Sequence, residues 1–428
     1  MVFSQQALDA KTRLIPYHLL LYSMPDKKFT IILTANYSPW SAYSGGGQRS
    51  THNLASTFAE MGHDVTVIFS KSPFEHVPIP ENLPYKLKWA IIPAFKTTRS
   101  AALRFLVPFS VNSILKKILK EKSGSGNPII VHSNGEEGSR VHRLRKSGPF
   151  TFGFISTSRY PHLPDDLKKY DTLKGFEKLN FLSTNLKYVQ QYKALLTADF
   201  CSPPSFWSGE DIKLLPEIDP EKVQPVHNGV PREFLNYHWK ETVKGPIVFF
   251  GRLDHDKGVD TLFEGLGQID TALLPPVYII GRGPKQEEYK KMANRAPFSD
   301  KVSFMDWKSH DELGKIMETA SMVVLPSRVE NFSLAVLGAM CAGVPTIGTD
   351  VGGTAEIIDN EITGFLIKAD QPDEITRTVH KLLTDPIFAI ELGKNGKHKI
   401  REQFTWNHSC NRFLELYGLA LQKQRTSN

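Results

Sequence analysis

The sequence predicts an α/β chain of two doubly wound parallel-sheet domains. Three observations carry that expectation. At 428 residues the chain is too long for a single hydrophobic core and fits two domains of ordinary size. Short β-branched runs alternate with amphipathic helical patterns, and strand, helix, strand implies a parallel sheet. The alternation breaks across residues 226–231 and 237–244 into polar, turn-rich chain before a new strand series opens at Pro246.

In the first domain, residues 29–35 form an apolar β-type run, followed by a loop with Pro39 and Gly45, Gly46 and Gly47, then a helical pattern over 48–61. Gly62 and His63 end that helix, and DVTVIF (64–69) reads as the second strand by its β-branched content. PIIVH (128–132) and residues 151–155 are further strands, separated by a basic helix-like stretch over 140–146. Residues 122–127, KSGSGN, are a short flexible insertion.

The second domain reads strand 247–250, helix 259–266, strand 277–281, helix 286–293, strand 302–305, helix 310–320 and strand 322–325. Helix 333–341, strand 345–348 and helix 354–359 complete the series, and an aromatic-bearing helix over 406–421 closes the chain. Domains of this kind bind ligands at the carboxyl ends of their strands. No repeat of 20–50 residues is present.

Composition excludes several classes. With 40% hydrophobic and 23% charged residues the chain has none of the biases of disordered, collagen-like or disulfide-stapled proteins. Cys201, Cys341 and Cys410 form no CxxC pair, so neither a metal cluster nor a disulfide framework is expected and a reducing, cytoplasmic setting is the simplest. The apolar stretch 19–22 is far too short to span a bilayer, so neither signal peptide nor anchor is expected. The net charge of +7 is uneven: residues 1–232 carry 29 basic and 19 acidic side chains, the remainder 23 and 26. That basic half suits nucleic acid, anionic lipid or a phosphorylated acceptor, and charge alone does not choose.

Four loops of the second half fall at strand ends. Gly251-Arg252, with Lys257-Gly258 five residues on, sets two cations at a strand-to-helix turn. This suits a diphosphate, and it reads equally as a solvated helix cap. Gly281-Arg282-Gly283-Pro284 allows close approach to backbone or is a plain turn. Residues 326–332, PSRVENF, place the Glu330 carboxylate beside helix-start amides, where it can accept from sugar hydroxyls or simply favour the dipole. Gly352-Gly353 precede another helix start, near Glu356.

GRLDHDKG, IIGRGP, PSRVENF, AMCAGVPTIGTDVGGTAEII and TGFLI, in this order, resemble the C-terminal domain of family 4 retaining glycosyltransferases. GGGQRSTHNLASTFAEMGHDVTVIF and the linker HNGVP extend the resemblance to nearly the whole chain. It implies the GT-B fold, two Rossmann-like domains facing a central cleft, with residues 1–235 on the acceptor side, 236–405 binding the nucleotide-sugar and a final helix over 406–424 packing back on the first domain. It implies that Arg252 and Lys257 bind the donor diphosphate, that Glu330 contacts the donor sugar, and that these three are the catalytic group. Gly45, Gly46, Gly47, Gly281, Gly283, Asn331, Phe332, Ser333 and Leu334 complete the donor side, and His132, Asn134 and Ser156 mark a sugar or acceptor side. The implied reaction needs no metal and no cofactor beyond the nucleotide-diphosphate sugar, with a glycan, lipid-linked or small-molecule acceptor and no nucleic acid partner.

The chain departs from that pattern in three places. The family's second carboxylate, eight residues after the first, is here Gly338, which either is tolerated or marks close packing. A histidine that many relatives carry beside the donor sugar aligns with Ser156, while His132, His142 and His162 lie nearby in sequence. Asn331-Phe332-Ser333 replaces the usual glycines, which is expected to crowd the sugar pocket. These departures keep a second hypothesis open, a degenerate relative that binds nucleotide or glycan, or supports a partner enzyme, without turnover. Residues 107–122 put apolar side chains on one helical face and Lys116, Lys117, Lys120 and Lys122 largely on the other. That is the pattern of any helix packed on a sheet, and with Arg140, Arg143, Arg145 and Lys146 it also suits peripheral contact with an anionic membrane.

Overall fold

The computed structural model describes residues 27–41, 45–92, 106–158 and 173–426. The apolar stretch 19–22 and His162 lie outside the described residues. The chain divides into two compact units, one of residues 1–227 and 409–428 and one of residues 228–408.

The first unit runs β1 (Thr30–Ala35), α1 (Gly46–Glu60), β2 (Asp64–Lys71), β3 (Lys86–Ile91), α2 (Val107–Lys122), β4 (Ile129–Ser133), a 3-10 turn (Glu136–Arg140), α3 (His142–Ser147), β5 (Gly153–Ser156), α4 (Gly175–Thr197), β6 (Phe200–Cys201) and α5 (Phe206–Lys213). Its six strands are all parallel, in the order β3-β2-β1-β4-β5-β6. Thr30 of β1 pairs with both Asp64 and Ile129, so β1, β2 and β4 start level and their carboxyl ends share one edge. The chain builds outward from β1 to β3, then returns to add β4 on the other side of β1. The order therefore reverses between β1 and β4, where doubly wound sheets leave a crevice.

The second unit repeats the plan with β7 (Ile247–Phe250), α6 (Val259–Leu266), β8 (Val277–Ile280), α7 (Gln286–Arg295), β9 (Val302–Met305), α8 (His310–Glu318), β10 (Met322–Leu325), α9 (Leu334–Ala342), β11 (Thr346–Thr349), α10 (Thr354–Ile357), β12 (Phe365–Ile367), α11 (Pro372–Thr384) and α12 (Pro386–Gln403). Its parallel order is β12-β11-β10-β7-β8-β9, so the reversal falls between β7 and β10. Strands IVFF and MVVL are buried along their whole length, which is why they read as continuous apolar runs rather than alternating ones. The last helix, α13 (Trp406–Thr426), starts in the second unit and continues into the first.

Helices present one apolar stripe to these sheets. In α11, Ile375, Val379 and Leu382 are buried at spacings of four and three, each side chain contributing about 1.5–3 kcal/mol. In α2, Val111, Leu115, Ile118 and Leu119 face the core while Lys116, Lys117 and Lys120 are exposed. Lys122 is drawn off to Asp64 at 2.5 Å. The basic surface is smaller than its sequence suggests. Arg140 lies over the Phe109 ring at 3.7 Å, and Arg145 binds the Phe152 carbonyl and the Asp199 carboxylate.

Most elements stand within a residue or two of their predicted positions, and the differences have local causes. The basic stretch 140–146 splits into a 3-10 turn and the short α3. Ser333, expected inside a helix, caps α9 by accepting from the Val336 amide at 3.4 Å. Strands β3, β6 and β12 and helices α4, α5, α11 and α12 had no predicted counterpart. The edge strand β3, KLKWAI, is mostly solvent-facing and lacks an apolar run, and β6 is only two residues long.

Candidate active site

The second unit gathers its polar groups at the carboxyl ends of β7 and β10, the point where strand order reverses. Three glycines let the loops there meet backbone to backbone. Gly258, at φ +65, is left-handed, and a Cβ on it would stand 2.0 Å from the Pro326 carbonyl oxygen. A Cβ on Gly281 would meet the Gly251 carbonyl oxygen at 1.9 Å, and one on Gly283 the Leu253 carbonyl oxygen at 2.1 Å. The Leu253 amide donates to the Arg282 carbonyl at 3.0 Å, and the Lys285 amide donates to the Leu253 carbonyl at 2.9 Å, so the β7 and β8 loops continue the sheet's ladder. Gly281 and Gly283 thus serve loop packing, whatever ligand they also admit.

Within this frame the Lys257 ammonium forms an ion pair with Oε1 of Glu330, bridging the β7 and β10 loops. The Ser327 hydroxyl donates to the same oxygen at 3.2 Å. Gly352, at φ +54, packs on the Glu330 carbonyl, where a Cβ would sit at 1.7 Å, and the Gly353 amide donates to Asn331 O at 3.1 Å. Glu330 is thereby fixed from three loops. Arg252 stands apart: its side chain is 66% exposed and its Nε lies 3.0 Å from Asp254 Oδ2. Asp254 keeps its other oxygen buried without a hydrogen-bond partner. Burial pushes its carboxyl above the usual range against the pull of Arg252 and Lys257, and Glu330 also acts on it. One carboxylate therefore sits among both predicted cations and the predicted sugar-side carboxylate.

Arg328, which lies in the same PSRVENF loop, is occupied elsewhere. It clamps Asp260 through two bonds of 2.9 Å, reaches Asp370 at 2.6 Å and donates to the His255 carbonyl at 2.6 Å. That clamp ties the β10 loop to the start of α6.

The side chains after Asn331 are engaged within the unit. The Phe332 ring turns into the core beside Phe404, 6.0 Å between centroids, Ser333 is spent on its cap, and Leu334 packs against the core. Gly338 marks close packing: a Cβ there would stand 2.9 Å from the ring of Phe234, which the 3-10 turn Arg232–Asn236 inserts against α9.

In the first unit the predicted acceptor-side residues lie at the carboxyl ends of β4 and β5. His132 is buried with both ring nitrogens engaged, Nδ1 with the Tyr417 hydroxyl and Nε2 with the Thr157 hydroxyl, each at 2.8 Å. It acts as a strut between β4 and α13. Ser156 accepts from the Ser133 hydroxyl at 3.2 Å, and Asn134 donates its amide to Glu137 at 2.9 Å. Gly45 precedes α1, where its amide donates to Gln48 Oε1 at 3.0 Å, and Gly46 and Gly47 open the helix. Sequence reasoning missed Asp254, Ser327 and Glu137. Asp254 sat inside the quoted GRLDHDKG, but its unpartnered oxygen has no signature in sequence.

The family model of the glycosyl transferases group 1 matches residues 238–399, and that of glycosyltransferase family 4 matches residues 44–234. An uncharacterised glycosyltransferase of Methanocaldococcus jannaschii is 29% identical over 215 residues, 47% of this chain and 55% of its own length. The MMP alpha-(1->4)-mannosyltransferase of Mycolicibacterium hassiacum is 22% identical over 414 residues, 89% of this chain and 96% of its own. The chain thus spans about half the length of the first of these relatives and nearly all of the second. Sucrose-phosphate synthase from Thermosynechococcus elongatus superposes with a TM-score of 0.71 at 21% identity, covering 92% of this chain and 100% of that one.

Proposed function

From a chain that belongs to the family 4 glycosyltransferases of the GT-B fold, we propose a retaining transferase that moves a sugar from a nucleotide-diphosphate donor to a hydroxyl-bearing acceptor. The acceptor is a glycan, a lipid-linked sugar or a small molecule. The observation that carries this reading is the Lys257–Glu330 pair at the strand-order reversal of the second unit, beside the exposed Arg252.

The chemistry follows from where charge develops. As the bond between anomeric carbon and leaving oxygen lengthens, the diphosphate gains negative charge and the sugar becomes oxocarbenium-like. Arg252 and Lys257 stabilise the first, with no metal required, and preorganised groups aimed at developing charge supply the largest share of catalysis. Glu330, fixed by Lys257 and Ser327, accepts from the sugar's hydroxyls and favours its positive charge. Each charge-assisted contact to the diphosphate is worth about 1.5–3 kcal/mol.

Thermal shift of the full chain with UDP, GDP and their sugars, followed by NMR of products, tests the proposal. Replacing Arg252 and Lys257 by Ala should abolish the nucleotide-induced shift, whereas Glu330→Gln should keep it and lower turnover about a hundredfold. Unchanged nucleotide affinity in the double variant would refute the assigned site. Nucleotide binding without transfer or donor hydrolysis would select the non-catalytic relative instead, a reading that the loss of a carboxylate at Gly338 keeps in play.

A further inference from the structure

Asp254 is a charged group of the second unit's site that the transfer chemistry does not use. Its main chain is held at three points: the amide donates to the Arg252 carbonyl at 3.1 Å, and the carbonyl accepts from the Lys257 amide at 3.2 Å and from the Tyr289 hydroxyl at 2.9 Å. Leu253 before it is fully buried and bonds to the β8 loop through both its amide and its carbonyl. The Asp254 carboxylate is therefore a fixed point, its side chain 22% exposed, whereas the Arg252 side chain beside it is largely in solvent.

The two side chains meet through Arg252 Nε, 3.0 Å from Asp254 Oδ2, while Oδ1 is buried and accepts no hydrogen bond. The other cation near the carboxylate, Lys257, is paired with Glu330, so Arg252 is the cation that chiefly holds Asp254 in its charged form. The remaining titratable groups around it are Asp256 of the same loop, Glu330 of the β10 loop and Tyr289 of α7. Asp256 and Glu330 repel a negative charge at Asp254, and the Tyr289 hydroxyl is spent on the main-chain carbonyl.

Arg252 is also the cation offered to a donor diphosphate, and the two anions compete for it. A phosphate that engages the guanidinium neutralises it as seen from Asp254, whether or not Nε stays in place, and sets new negative charge beside a partly buried carboxylate. A group left in that position takes up a proton rather than stay charged. We propose that Asp254 is a proton-coupled positioning residue: it holds Arg252 in the donor-free enzyme and yields it to a nucleoside diphosphate by accepting a proton from solvent on its carboxyl. When the nucleotide leaves, the proton returns to solvent and the Arg252–Asp254 pair re-forms, so Asp254 limits how tightly the product is held. Affinity therefore rises as pH falls between the carboxyl's bound and free titration points, and is flat on either side. This rests on the reading of Arg252 and Lys257 as the diphosphate cations, and adds to it the proton that accompanies binding.

Isothermal titration calorimetry of the full chain with UDP and GDP, in two buffers of different ionisation enthalpy, counts the protons. Wild type should take up as much as about one proton more per nucleotide than Asp254→Asn, a difference that removes the nucleotide's own ionisation. At about pH 8 Asp254→Asn should bind about tenfold more tightly than wild type, and the gap should narrow as pH falls toward about 5. Asp254→Ser, also uncharged, should repeat the result, and thermal midpoints without ligand show whether both variants fold. On an Arg252→Ala background, where binding falls to Lys257, Asp254→Asn should change affinity by no more than about threefold. A merely structural role would give weaker binding instead, with no change in proton count. Equal proton uptake by wild type and variants, weaker binding by folded variants, or the same tightening with alanine at 252 would each overturn the proposal while the donor site stands. Absence of nucleotide binding by wild type would refute the donor site and the proposal together.

Discussion

Burial of the Glu137 carboxyl has a consequence for stability. Its carboxyl titrates at about 8 in the fold, raised first by burial and then by Glu136, against an ordinary value of 4.5. Between those values the folded state holds a proton that the unfolded chain releases. This group's contribution is therefore full below about pH 4.5, falls as pH rises toward 8, and is flat above, where both states are ionised. Glu137→Gln removes the titration while preserving an acceptor for Thr34 and Asn134. Urea unfolding of wild type and variant should show their stabilities diverging by a few kcal/mol between pH 5 and pH 8, in favour of the variant at the higher pH. Parallel pH curves would mean that Glu137 is ionised in the fold. Residues of this type were invisible in sequence: GEEGS reads as an acidic turn, and what packs on it is helix α4, whose Gln191 lies 54 positions after Glu137. Arg252, Lys257 and Glu330 were legible because spacing within short loops placed them at strand ends. The Arg328 clamp was not, since Asp260 and Asp370 lie 68 and 42 positions away.

At the scale of elements the loops, more than the strands, are what the glycines specify. Gly258 combines a left-handed φ with a Pro326 carbonyl oxygen 2.0 Å from where a Cβ would stand, so no side-chain rotation relieves a substitution there. Gly418, inside α13, has nothing within 4 Å of the same position. Gly258→Ala should cost about 2–4 kcal/mol and weaken nucleotide binding through the displaced Lys257, whereas Gly418→Ala should stabilise by about 0.5–1 kcal/mol. Urea midpoints of the two variants measure the contrast, and equal effects would show that the close approach of the β7 and β10 loops relaxes at little cost. The same logic explains the glycine at 338. A ring from the linker needs the room, and a one-residue motif comparison sees only a missing carboxylate, because Phe234 is 104 positions away. Strand and helix existence was readable where runs were long and buried, as in β7 and β10. It failed for β3 and β6, whose pairing comes from neighbouring strands rather than from their own composition.

For the whole molecule the informative feature is that one topology is used twice with opposite chemistry. Each unit reverses its strand order beside its first strand, so backbone geometry alone offers two equivalent crevices. The side chains there differ: cations with a carboxylate at β7 and β10, a carboxyl, a hydroxyl and a backbone amide at β1 and β4. The overall charge points the other way, since residues 1–232 carry 29 basic and 19 acidic groups while Glu136 and Glu137 stand after β4. Among the described cations of that half, Lys116, Lys117 and Lys120 are exposed on α2 and Arg145 is locked to Asp199. If the two crevices are chemically separate, a nucleoside diphosphate should find only one of them. Hydrogen exchange of the full chain with and without saturating UDP or GDP should show protection over residues 251–258 and 326–336, of about a hundredfold at ligand concentrations a hundred times Kd, with residues 34–37 and 134–140 unchanged. Protection that appeared first at 134–140 would place the anion in the crevice with the acidic side chains and reverse the assignment of both units.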